Sequence, residues 1–170
     1  RIEHTQILIK EDLPRFAELG VIASMQPTHC ITDLAYAENR LGRERCSYAY
    51  AWRSILEAGG RIAFGTDCPV EPMDPMEGLY AAVSRKGRDG RPPGGWFPEQ
   101  RLTMEEAIEL YTLGPAYASF EEHLKGSLET GKLADMAVLS ENLFEVPEHR
   151  IMDTRVVYTI FNGKVIYDNK

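Results

Sequence analysis

The sequence predicts an α/β fold: a parallel sheet with helices packed outside it, followed by a β-rich tail. Three observations point there. Residues 21–27 (VIASMQP) and Arg61–Phe64 are short apolar runs with little polar alternation, as in strands covered on both faces. Helical patterns separate these runs. Near Lys125 the character changes, and strand-like stretches at 126–139 and 155–170 follow, the latter with Asn162-Gly163 as its hairpin signal. The expected division is residues 1–124 and 125–170.

In order along the chain, a first strand is glimpsed at residues 1–4, RIEH. A helix is expected over 13–19, with Asp12 as N-cap, Pro14 in the first turn and Gly20 as the stop. The strand at 21–27 then enters a loop. The stretch 47–60, SYAYAWRSILEAGG, reads as a helix with Tyr48, Trp52, Ile55 and Leu56 on one face and Gly59-Gly60 ending it. The next strand reaches Gly65-Thr66-Asp67, where Cys68-Pro69 turns the chain. Over 74–86, Asp74 suits an N-cap, Pro75 the first helical position, and Glu77 completes a capping box. Residues 87–98, GRDGRPPGGWFP, form a loop of the kind that often serves as a lid or substrate-binding segment. Thr103 and Glu106 make a second capping box before a helix that Gly114-Pro115 is expected to interrupt.

Composition narrows the function classes. With 44% hydrophobic and 26% charged residues, the 170-residue chain is globular rather than disordered. A net charge of −7 argues against nucleic acid or an anionic membrane as partner, because both need a basic surface. No apolar run approaches the roughly 20 residues of a membrane span, and no signal peptide is visible. Cys30, Cys46 and Cys68 lack a CxxC spacing, so a disulfide framework is not expected and a cytoplasmic location is. The chain opens on Arg1-Ile2-Glu3-His4 without Met, which suggests a piece of something longer.

Polar residues collect beyond the C-terminal ends of the predicted strands, the rim where parallel β/α folds bind ligands. His4 could ligate a metal or bond the backbone. Asp67 could ligate a metal, act as a base toward water, or cap the next turn. His29 could bind substrate or stabilise its loop. Cys30 and Cys68 adjoin these residues, yet small filler is the commoner role of such a cysteine than a zinc thiolate. Arg85 and Lys86 could meet an anionic group or complement the helix dipole. Asp135 reads as turn chemistry, and Tyr48, Tyr50, Trp52 and Tyr111 as packing. Trp96 and Phe97, in the long loop, are the candidates for apolar substrate contact.

Five segments in order, RIEH, SMQPTH, GTDCPVEPMDP, LTMEEAIELYTLGPAYAS and KGSLETGKLADMAVL, resemble the C-terminal third of YtcJ-like amidohydrolases, the amidohydrolase 3 group of the amidohydrolase superfamily. The resemblance implies strands six to eight of a (β/α)8 barrel followed by part of a small β-sandwich. It implies a divalent metal, most simply zinc, one or two ions in a complete protein, with His4 and Asp67 as ligands. It further implies hydrolysis of a small-molecule amide by metal-activated water, with Asp67 as proton shuttle. A cyclic-amide hydrolase or deaminase would share this logic.

The same pattern requires an HxH pair and middle-strand ligands that this sequence does not contain. Two donors hold a catalytic zinc weakly, so the isolated chain is expected to be inactive and to need an N-terminal segment as partner. Open sheet edges would otherwise favour self-association. A non-catalytic association module is the rival reading.

Overall fold

The computed structural model describes residues 1–169. Its first sheet is parallel, in the order β1 (Ile2–Glu3), β2 (Ile22–Met25), β3 (Arg61–Phe64). β2 is central: Ile2 faces Ala23, and Ala23 in turn faces Ile62. Met25 and Ala23 are fully buried and Phe64 nearly so, as the unalternating apolar runs predict. The second sheet is antiparallel, in the order β4 (Met136–Leu139), β5 (Val156–Phe161), β6 (Lys164–Asp168). Asn162 (φ 47) and Gly163 (φ 74) both adopt the left-handed conformation that a tight hairpin turn demands. Asp135 accepts from the Asn162 N–H at 2.7 Å, the turn role expected of it. Of the strand-like stretch 126–139, only Met136–Leu139 is strand.

Helices α1 (Leu13–Glu18), α2 (Pro27–Leu41), α3 (Trp52–Glu57), α4 (Pro75–Ser84) and α5 (Met104–Ala118) surround the parallel sheet. Phe16, Trp52, Ile55, Phe64, Leu79 and Leu110 belong to one core between helices and strands. No helix among the described residues is long and apolar enough to cross a membrane.

Several local expectations change. The predicted loop after β2 is the fifteen-residue α2, opened by Pro27 and stopped at Gly42 (φ 77). Asp12 does not cap α1: it lies in a 3-10 turn with helical backbone, and its carboxylate pairs with Arg15 at 2.6 Å. The helix predicted over 47–60 divides into a 3-10 turn, Arg45–Tyr48, and α3, with left-handed Tyr50 (φ 51) between them. Asp74 caps α4 through the Met76 N–H at 2.9 Å, but Glu77 turns away to pair with Arg88. The Thr103–Glu106 capping box forms with both bonds in place. α5 runs through Gly114-Pro115 instead of breaking there, and Gly114 seats the helix directly on the β3 backbone: a Cβ there would stand 2.6 Å from the Ile62 carbonyl oxygen.

Candidate metal centre

Each parallel strand delivers one polar side chain at its C-terminal end. β1 stops at Glu3, and His4 (φ 69) and Thr5 (φ 43) turn the chain in left-handed conformations. The Thr5 hydroxyl donates to the Ile2 carbonyl at 3.0 Å and its N–H to Glu3, which holds that turn. β2 passes through Gln26 straight into α2, so His29 stands in the helix's first turn. β3 ends before Gly65-Thr66, and Asp67 (φ 59) follows, its carbonyl accepting the Val70 N–H at 2.8 Å. The apolar run thus stops where the backbone must turn sharply, which leaves the carboxylate at the rim.

These residues converge. Asp67 Oδ2 lies 3.9 Å from His4 Nδ1 and 3.8 Å from His29 Nε2. One donor atom from each residue lies within 4.8 Å of the others. His4 is exposed and Asp67 partly so, whereas His29 is buried with neither ring nitrogen hydrogen-bonded. His4 Nδ1 meets Gln26 Oε1 at 3.0 Å, and the same nitrogen faces Asp67, so Gln26 and Asp67 together orient the ring. A polar partner behind a ligating imidazole is the usual outer support of a metal site. Gln26 went unnoticed in the sequence, where a glutamine before Pro27 carries no motif.

Other candidates lie elsewhere. Cys30 is buried, and burial pushes its thiol up to about 11, in keeping with core filler; Cys68 is exposed and belongs to no donor cluster among the described residues. Trp96 and Phe97 are only 3% and 7% exposed and pack on each other, while Trp96 Nε1 donates to Glu38 at 2.8 Å. Their loop is therefore pinned to the core in this chain. Lys86 pairs with Glu148 at 2.6 Å. Arg85, the C-cap of α4, is wholly buried: it donates to the carbonyls of Trp96, Tyr50 and Ala49 and stacks on Trp52.

The model of the amidohydrolase family matches residues 1–167. The chain belongs to the amidohydrolase family. Within it, the chain is 32% identical over 168 residues to a putative amidohydrolase, YtcJ, of Bacillus subtilis, covering 99% of this chain and 32% of that protein. It is 32% identical over 173 residues to the N-substituted formamide deformylase of Arthrobacter pascens, covering 99% and 31% respectively. Among solved structures, a metal-dependent hydrolase of Pyrococcus horikoshii superposes with a TM-score of 0.77 at 32% identity, covering 87% of this chain and 30% of the other. The chain thus spans about a third of the length of the amidohydrolases it matches, and it is the C-terminal α/β part of that fold.

Proposed function

We propose that this chain carries part of the active centre of a metal-dependent hydrolase that cleaves non-peptide carbon–nitrogen bonds. The observation that carries the reading is the convergence of His4, His29 and Asp67 just beyond the ends of adjacent parallel strands, with both ring nitrogens of His29 buried and without a hydrogen bond. Likeness to a deformylase of N-substituted formamides supports the bond type.

The residues fit a divalent ion. Two imidazoles and a carboxylate are a zinc donor set, and tetrahedral ligation at such distances sets donors about 3.4 Å apart. The three donor atoms lie within 4.8 Å of one another, somewhat wider than that spacing. An unengaged buried imidazole is costly unless something accepts its lone pair. The sequence expectation gives His29 to the substrate; the geometry favours its joining His4 and Asp67 in the donor set. When bound, a divalent ion such as zinc lowers the pKa of a coordinated water from about 15.7 toward about 7 and polarises the scissile carbonyl.

Asp67 does the proton work. Anionic and held between two imidazoles by its left-handed turn, it accepts the proton of the attacking water. It then passes that proton to the leaving nitrogen, which departs as a neutral amine. Gln26 orients the His4 ring through Nδ1. Further ligands and the substrate-binding loops belong to the two thirds of the relatives' length that this chain does not span, and the isolated chain turns over no substrate.

Zinc titration of the purified chain, its Asp67→Asn and its His4→Ala variants tests the site. Turnover of N-formyl and N-acyl amines, by the chain alone and co-expressed with the N-terminal portion of a full-length relative, tests the reaction. Zinc binding weakened by both substitutions, and activity only on co-expression and abolished by Asp67→Asn, is the expected result. Zinc binding indifferent to both, with no activity in either format, overturns the reading. The exposure of Val165 (58%) and Ile166 (64%) on β6 favours one alternative, an association module, which a compact, metal-indifferent dimer on size exclusion would support.

A further inference from the structure

Tyr50 is held in a left-handed conformation (φ 51) while only 1% exposed. A bulky side chain in that region stores about 1–3 kcal/mol of strain and persists only where its surroundings over-determine it. Here every polar group of the residue is committed. Its N–H donates to the Gln6 carbonyl at 2.8 Å, beside an antiparallel bridge between Ile7 and Ala49 and a Leu8 N–H bond to the Tyr48 carbonyl. Its carbonyl accepts from Arg85 Nη1 at 2.8 Å. Its hydroxyl donates to Asp33 Oδ2 at 2.5 Å.

The two ends of this strut reach the two histidines by separate routes. Gln6 lies two residues beyond His4, on the turn that delivers it. Asp33 lies four residues beyond His29 on α2, one helical turn away on the same face. One residue therefore grips both arms of the donor cluster, although no step of the hydrolysis uses it. Burial first, then the bond to Asp33, push the Tyr50 phenol well above its ordinary value, so it stays a donor.

We propose that Tyr50 is a positioning residue: anchored by Arg85, it ties the His4 turn to α2 and so fixes the separation of the two imidazoles, whose ring centroids lie 5.8 Å apart. The proposal rests on the reading of His4, His29 and Asp67 as a metal site. Loss of such outer support characteristically lowers metal affinity by about 10–100-fold; a strut one residue further out is expected to act at the lower end, about tenfold.

The test uses Tyr50→Phe, which removes only the hydroxyl, and Asp33→Ala, which removes the same bond from a half-exposed helix position if the first variant folds poorly. Cobalt(II) is the probe, read by affinity and by its ligand-field absorption bands. The expected result is an about tenfold weaker affinity with shifted bands, an unfolding midpoint close to that of the parent chain, and no further loss when Tyr50→Phe is added to His29→Ala. Parent-like affinity and bands in both variants overturn the proposal, as does an equal loss in the His29→Ala background. Cobalt binding in the parent chain that is absent, or unaffected by His29→Ala, refutes the metal reading instead. The strut is then judged in the metal-free chain by the nuclear Overhauser contact between the His4 and His29 rings: lost in Tyr50→Phe it sustains the positioning role, retained it ends it.

Discussion

Arg85→Met probes how a lone buried cation can hold a loop in place. Arg85 is fully buried; it donates to three carbonyls and lies 4.7 Å from the Trp52 ring and 5.5 Å from that of Trp96. Burial pulls its pKa down, the mark of a charge that the interior does not welcome. Methionine keeps much of the volume and inherits the same left-handed backbone (φ 52) without a new penalty. The Ala49 and Trp96 carbonyls lose their donor, while Tyr50 keeps the Trp52 N–H. Two orphaned buried carbonyls cost about 2–6 kcal/mol together, and lost stacking adds about 1–2 kcal/mol. Relief from burying the cation returns about 3 kcal/mol. A net loss of about 3 kcal/mol follows, a thermal shift of about 6–12 °C for a chain of this size. Urea unfolding beside thermal melts measures it. Arg85→Lys should lose nearly as much, since one ammonium cannot span three carbonyls. A methionine variant as stable as the parent chain, or more so, would refute the reasoning: the cation would then be a net cost and the loop held by Trp96 and Phe97 alone.

Two further outcomes follow from packing and charge. Gly114→Ala gains about 1 kcal/mol of helix propensity but drives a Cβ against the Ile62 carbonyl and Ala63 Cα, at about 1–3 kcal/mol for overpacking, so a lower unfolding midpoint is expected and a raised one would show that α5 can lift off β3 freely. Glu106, held below its usual carboxylate range first by its bond to Arg53, contributes stability above the unfolded pKa that disappears as pH falls through its folded value; Glu106→Gln should cost about 1 kcal/mol at pH 7 and progressively less toward pH 3, and a pH-independent difference would contradict the linkage.

What the sequence made legible was local, and what it concealed was tertiary. The strands at β2 and β3 were readable because burial on both faces forces continuous apolar runs, and the hairpin because Asn162-Gly163 suits left-handed backbone. His4 and Asp67 stood out as polar residues at strand ends, and the structure brings them together with His29. α2 was missed although Pro27 and Gly42 bracket it and Cys30, Leu34, Ala37 and Leu41 recur at helical spacing, because its first turns, with Thr28, Ile31, Thr32 and Asp33, are made of weak helix formers. The break at Tyr50 had no local signal at all. It exists because Arg85, Gln6 and Asp33, each distant in sequence, claim its backbone and hydroxyl. The burial of Trp96 and Phe97 was hidden for the same reason: a Gly/Pro-rich loop reads as free until a buried arginine is found to hold it.

The two ends of the parallel sheet differ in how they turn. At the end where the strands begin, the turns before β2 and β3 use glycine, Gly20 (φ 61) and Gly59 (φ 79), for which the left-handed conformation is free, and Phe120 (φ 62), just past the end of α5 near Arg1 and Arg61, is the exception. At the end where the strands finish, His4, Thr5 and Asp67 adopt it with side chains attached, and Tyr50, Arg85 and Phe97 do so in the layer that supports them. At about 1–3 kcal/mol each, these residues together store an energy comparable to the whole stability of an ordinary domain, about 5–15 kcal/mol. Such strain survives only where bonds compel it, and here they do: Thr5 to Ile2, Val70 to Asp67, Tyr50 to Gln6, Trp96 to Arg85. Glycine at the same positions would relieve the backbone and remove the side chains that the site needs. The rim therefore trades stability for placement. Turns built on non-glycine left-handed backbone, at His4, Thr5 and Asp67, are what the proposed metal site would ask of that end of the sheet.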